Sequence, residues 1–377
     1  MLALSFETFR SMNKRQPSNT MHSSQPHTSS TTAMSRDMPP DTSGFASSFY
    51  KNQIRATIPP LPSTLNLQGQ CAVVTGANSG LGLECCRHLL SLGLSHLIMG
   101  VRSVERGQHA AQDLQRANTQ ANIDVWSLEM ESYQSVQDFA QECHGLARID
   151  MAILNAGLAD VTFSVVPATG HERVMQVNYW STALLEVLLV PIMKAHKRQS
   201  WTPRITVVNS GMANFSTLPN RDKRPLLRSF DDTTLTPWDP QTRYNDSKLV
   251  GQFFLSRLVE NTSPHDVIIN MVEPGLTKGT QLFRNVGGLS GAVFAMLKSA
   301  AARPAHVASR TYVDAAAVKG PESHGCYISL GKIAPLAPLT YGENGRGLSD
   351  CIWEESLEEF ETVCGAAALE HVRSSGT

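Results

Sequence analysis

The stretch "RYNDSKLVGQFF", residues 243–254, sets Tyr244 and Lys248 at i and i+4 at the head of an apolar run. On a helix these two share a face, while Val250, Phe253, Phe254, Leu258 and Val259 supply a buried side. A lysine beside a tyrosine favours the phenolate and draws the phenol's pKa toward the working pH, as general acid/base chemistry requires. Upstream, "VVNSG" ends an apolar run on Ser210, a hydroxyl that could hold a substrate oxygen. Asn178 lies in the otherwise apolar "MQVNYWSTALLEVLL". A buried amide needs partners, so Asn178 has either a structural or a catalytic task.

A second constellation suits phosphate. "TGANSGLGLE" follows the run "CAVVT" directly and carries Gly76, Gly80, Leu81 and Gly82 in the pattern TGxxxGxG. Glycines serve where the chain turns sharply and where backbone N–H groups must approach a pyrophosphate, and the helix that follows turns its positive end toward it. The implied ligand is a dinucleotide. After the next strand an NAD site would carry a carboxylate for the ribose 2′-hydroxyl, whereas "MGVRS" offers Arg102, which suits a 2′-phosphate or simply ends a strand in solvent. NADP(H) is therefore favoured over NAD(H). "ILNAG" adds Asn155, Ala156 and Gly157, small residues against which a cofactor can lie.

The elements that must position these groups follow from periodicity. Short apolar runs beginning at Cys71, His96, Ile123, Ile149, Arg204, Val267 and Cys326 alternate with segments spaced in threes and fours, such as Leu81, Cys85, Leu89 and Val136, Phe139, Cys143. Nearly continuous apolar strands between helices predict a doubly wound α/β domain, a parallel sheet covered on both faces. The expected organisation is a disordered N-terminal extension, residues 1–60, rich in Ser, Thr, Asn, Gln and Pro toward its start, followed by one domain over 61–377. Insertions at 212–243 and 276–303, the second containing the apolar run Leu289–Leu297, follow strand ends and are candidates for substrate contact.

Composition narrows the partners. A formal net charge of -1 over 377 residues gives no field for nucleic acid and no polybasic run for a membrane surface. The apolar runs are too interrupted for a transmembrane segment. Seven cysteines at spacings that match no zinc site point to buried thiols in a reducing compartment, hence a cytoplasmic protein without a metal. A mitochondrial presequence is the alternative, opposed by Glu7, Asp37 and Asp41.

Taken together and in this order, the motifs resemble those of the short-chain dehydrogenase/reductase family. The resemblance covers about residues 66–331, and "FYKNQIRATIPPLPSTLNLQGQ" and "HERVMQVN" look most like its fungal members in secondary metabolism. It implies a Rossmann fold and redox chemistry between a ketone and a secondary alcohol on a hydrophobic substrate. Tyr244 is implied as proton donor or acceptor, Lys248 as the ribose-holding residue, Ser210 as the carbonyl's partner and Asn178 as support for a relay water. Pro274, Gly275 and Thr277 match the turn beside the nicotinamide. Glu129 stands where the family has Asp near the adenine, and Asn209-Ser210 replaces a Ser pair. A homodimer or homotetramer follows by the same analogy. A silent dinucleotide-binding scaffold and a dehydratase or epimerase on the same fold remain the competing readings.

Overall fold

The computed structural model describes residues 33–278 and 301–373. All seven expected strands form: β1 Cys71–Thr75, β2 His96–Val101, β3 Asn122–Ser127, β4 Met151–Leu154, β5 Arg204–Val208, β6 Ile268–Glu273 and β7 Tyr327–Ser329. An eighth, β8 Lys332–Ala334, was not expected from the sequence. It turns back on β7 through Leu330 and Gly331, both at positive φ, and pairs antiparallel. The sheet order is β3-β2-β1-β4-β5-β6-β7-β8, with every other pair parallel. The order reverses between β1 and β4, and there the strands' carboxyl ends open a crevice.

Both faces of the sheet are covered. Cys85 and Leu89, from the Gly80–Ser91 helix, join Val74, Leu97, Met99 and Tyr312 in one core. Val136, Phe139, Trp180, Leu184, Phe253, Phe254 and Phe360 form the other. The seven cysteines are free thiols, Cys71, Cys85, Cys86, Cys143 and Cys326 buried and Cys351 and Cys364 half-buried. No helix among the described residues is long and apolar enough to cross a membrane.

The sequence expectation that disorder extends to residue 60 requires correction from residue 33 onward. The Phe45–Phe49 helix runs into a π-helical turn, Tyr50–Arg55, and the segment is held by polar groups. The Ser35 hydroxyl accepts the Tyr327 N–H at 2.8 Å, and the Gln53 amide donates to the carbonyls of Leu276 at 3.0 Å and Ala301 at 2.8 Å. Composition judges order by apolar content, so a segment fixed by buried hydrogen bonds escapes it. The part of that extension at residues 1–32 lies outside the described residues, as does the run Leu289–Leu297.

The insertion 212–243 is largely a packed layer. Leu218, Leu226, Leu227 and Phe230 are fully buried. The N–H groups of Leu226 and Leu227 each donate to a Glu355 carboxylate oxygen at 2.7 Å, and buried His171 bridges Asp231 and Glu359 at 3.1 Å on each side. Its last turn starts the Pro240–Leu258 helix. Pro240 tolerates the first helical position because no N–H is needed there, and the Asp239 carboxylate accepts the Thr242 N–H at 2.7 Å.

Candidate active site and dinucleotide cleft

A cavity of about 700 Å³ lies along the carboxyl edge of the sheet. At one end are Gly76, Gly80, Leu81 and Arg102; at the other are Ser210, Tyr244 and Lys248. Glu129, Asn155, Ala156, Gly157, Pro274, Gly275 and Thr277 also line it. Two residues expected at the site stand behind its wall. Gly82 is packed against the turn, and Asn178 sits beneath Gly157, where an added Cβ would meet its Oδ1 at 3.2 Å.

The phosphate end is made of backbone. Gly76 and Gly80 adopt φ of +65° and +56°, and a Cβ on Gly82 would lie 2.4 Å from the Gly76 carbonyl oxygen. The Asn155 amide donates to the Thr75 carbonyl at 2.9 Å and so ties β4 to the turn. Ser79 precedes the Gly80–Ser91 helix without capping it through its side chain. These residues fit a dinucleotide: Gly76 and Gly80 bring no side chain to the turn, and Gly80 and Leu81, from the first turn of the helix, line the cavity.

Beside the turn, Arg102 is not the isolated guanidinium the sequence suggests. It pairs with Glu129 at 3.9 Å and Glu131 at 3.5 Å, and Arg173 continues the chain to Glu131 at 2.9 Å and Asp160 at 2.6 Å. The absence of a carboxylate after β2 led to the opposite expectation, yet long side chains from the loop after β3 reach across. Arg106 also lines this end.

The reacting end is made of buried side chains. The Ser210 hydroxyl hydrogen-bonds the Tyr244 phenol and accepts the Met212 N–H at 3.2 Å. Lys248 Nζ donates to the Val208 carbonyl at 3.0 Å. Burial pushes the Tyr244 phenol up to about 12, with the Glu273 carboxylate adding to the rise and Ser210 opposing it; burial also brings Lys248 down to about 8. The lowering of the phenol expected from Lys248 does not appear among the protein's own groups: burial and Glu273 raise it, Ser210 alone opposes them, and burial disfavours the charged form of Tyr244 and Lys248 alike. Asn178 sits in a π-helical turn, Gln176–Trp180. Its Oδ1 accepts the Leu158 N–H at 2.8 Å, and its Nδ2 donates to the Leu158 carbonyl at 2.9 Å and the Ser247 hydroxyl at 3.0 Å.

Three contributors to the cleft gain a part that the sequence did not assign them. Asn209 Nδ2 donates to the Lys248 carbonyl at 3.0 Å while its Oδ1 accepts the Ser210 N–H at 2.8 Å, so the departure from the Ser pair fastens the strand to the helix. Glu273, the residue before Pro274, accepts the Gly211 N–H at 3.2 Å and the Ser329 hydroxyl at 2.6 Å. A glutamate ending an apolar strand next to Pro-Gly was the available signal. The N-terminal segment also brings Phe45, Ser48, Phe49, Asn52 and Gln53 to the cleft. Among the described residues no group of His, Cys, Asp and Glu is arranged to hold a metal ion.

Residues 70–217 match the family described as short chain dehydrogenase. The chain is 41% identical over 343 residues to short chain dehydrogenase/reductase mfmJ of Annulohypoxylon moriforme, covering 90% of this chain and 99% of the relative. It is 43% identical over 319 residues to short chain dehydrogenase virL of Hypocrea virens, covering 84% and 92%. Among solved structures, the fold resembles the NADPH-bound short chain oxidoreductase of Pseudomonas aeruginosa with an atypical catalytic center, at a TM-score of 0.53 and 19% identity over 70% of this chain and 95% of that one.

Proposed function

Because the chain belongs to the short-chain dehydrogenase/reductase family, we propose that it interconverts a ketone and a secondary alcohol on a hydrophobic metabolite, with NADP(H) as its cofactor. The observation that carries this reading is Tyr244: its phenol is bonded by the Ser210 hydroxyl, with Lys248 one turn further on, in the same cleft as the glycine turn.

The turn at Gly76 and Gly80 would hold the pyrophosphate, Arg102 and Arg106 the 2′-phosphate, and Asn155–Gly157 with Pro274–Thr277 the nicotinamide half. When bound, a nicotinamide supplies or accepts the hydride at the reacting carbon. In reduction Tyr244 gives its phenolic proton to the carbonyl oxygen; in oxidation the phenolate takes the hydroxyl proton. Ser210 holds the same oxygen in place. Lys248 lies on the Tyr244 face of the helix and would hold the ribose. Asn178, whose amide is committed to Leu158 and Ser247, acts as a positioning residue that sets the floor beneath Gly157.

A role in fungal secondary metabolism is supported by the organisms and similarity of the relatives and by the apolar residues around the cleft. A cytoplasmic homodimer or homotetramer belongs to the same reading. The test is oxidation of NADPH and of NADH by the full-length protein against aromatic and aliphatic ketones. Turnover with preference for NADPH is expected; binding of NADPH without turnover of any ketone, or of the matching alcohols with NADP, would sink the proposal in favour of a silent binding protein.

A further inference from the structure

The cleft has one wall that neither the proton chemistry nor the dinucleotide turn uses. Phe45 and Phe49, one helical turn apart, stack at 5.7 Å between centroids with 27° between planes, and Phe215 meets Phe45 edge-on at 5.4 Å and 71°. All three line the cavity that contains Tyr244 and Ser210, and Met212 lies alongside. A lone exposed aromatic needs no explanation, but here three converge on one cavity, and Phe45 remains 49% exposed within it.

The wall is fixed in place. Arg303 Nη2 donates to the carbonyls of Asn52 at 2.5 Å, Gln53 at 3.2 Å and Ala56 at 2.9 Å, and its Nη1 donates to Gln53 Oε1 at 2.9 Å. That same Gln53 oxygen accepts the Leu276 N–H at 2.9 Å. Gly275 keeps this junction tight, since a Cβ there would meet Arg303 Nη1 at 2.6 Å and Gln53 Oε1 at 2.7 Å. Phe45 and Phe49 are thereby tied to the Pro274–Thr277 side of the active site, although they lie outside the residues 70–217 that match the family.

We propose that Phe45, Phe49 and Phe215 form an aromatic subsite that holds a planar aromatic or conjugated ring of the substrate while its carbonyl or carbinol lies at Tyr244. This deepens the oxidoreductase reading and rests on it. Rings offered at stacked and edge-on angles complement the charge distribution of another π system, whereas a saturated ring of equal size gains only the burial of area. The N-terminal segment is then a specificity element.

The decisive pair of probes is acetophenone and cyclohexyl methyl ketone, matched in carbon skeleton but differing in ring flatness, π character and conjugation with the carbonyl, the last of which the ring-deleting variants leave unchanged. Their dissociation constants are measured by calorimetry from the full-length protein loaded with oxidised NADP, which has no hydride to give a ketone, and turnover is measured separately with NADPH. Wild type is expected to bind the phenyl ketone more tightly; Phe45→Ala with Phe49→Ala weakens it about tenfold and the cyclohexyl ketone less, closing the gap. NADPH affinity serves as the check on folding, and Phe215→Leu, which keeps apolar volume but removes the ring, supplies a second variant expected to narrow the same gap. Equal affinities in wild type, or a phenyl preference that survives in a folded variant, would overturn the subsite. A phenyl preference in binding without turnover of either ketone supports the subsite, and the oxidoreductase reading is then decided separately by the wider panel of ketones and alcohols.

Discussion

At the glycine end of the cleft the protein presents backbone and partly exposed charges; at the Tyr244 end it presents buried side chains whose protons are displaced from their ordinary values. The first end is defined by shape: Gly76 and Gly80 hold left-handed backbone, and Gly82 leaves no room for even one more carbon. The second works through electrostatics, because Tyr244 and Lys248 are both removed from water and each pays in its charged form. Steric change should therefore damage the first end and charge change the second.

The largest expected effect is at the reacting end. Tyr244→Phe removes the proposed proton donor but little volume, so turnover should fall about 10²- to 10⁴-fold while NADPH affinity persists. Steady-state kinetics beside cofactor titration checks this, and a variant that retains wild-type turnover would erase the contrast between the two ends.

Gly82→Ala tests the glycine end. Its Cβ would press on the Gly76 carbonyl oxygen at 2.4 Å and the Asn155 amide at 2.7 Å, so the turn must move. A loss of about 1–3 kcal/mol in stability is expected, together with weaker NADPH binding. Denaturant midpoints and cofactor titration measure both, and an unaltered protein would show that the turn has slack.

Glu273→Gln sharpens the electrostatic half. The carboxylate is near Tyr244, with Tyr312, Tyr327 and Arg303 also within its field, and Ser329 and the Gly211 N–H are hydrogen-bonded to it. Negative charge disfavours the phenolate and raises the phenol's pKa, so a neutral amide lowers it. Oxidation needs the phenolate and gains rate as pH rises through that pKa; its profile should move to lower pH by about half a unit to one unit. A purely structural role would change the height of the profile and leave its position alone.

The smallest effect belongs to Arg102→Ala. The guanidinium is 47% exposed and already shared with Glu129 and Glu131, so the NADPH-over-NADH preference should drop about two- to fivefold. The ratio of the two dissociation constants reads it directly. An unchanged ratio would move the discrimination to Arg106.

Much of this site can be read along the chain because its parts are local. TGxxxGxG needs only a strand before it and a helix after it, and Tyr244 and Lys248 share a face through helical spacing alone. Ser210 and Pro274 end apolar strands, and in a parallel sheet the carboxyl ends of strands meet at one edge. What could not be read depends on contacts between distant segments. Arg303 reaches back to Asn52, Gln53 and Ala56, and the Ser35 hydroxyl meets the Tyr327 backbone; neither pairing leaves a periodic trace. β8 was missed because three residues after a tight turn carry too short a pattern to register.

The amino-acid order determined the doubly wound sheet, the glycine turn and the line of Ser210, Tyr244 and Lys248, since apolar periodicity and residue chemistry act over a few neighbouring positions. Tertiary structure decided the rest: the carboxylates that claim Arg102, the burial that raises the Tyr244 phenol, and the placing of Phe45 and Phe49 in the cleft. Each of these depends on distance and on exclusion of water, and both exist only once remote parts of the chain have closed on one another.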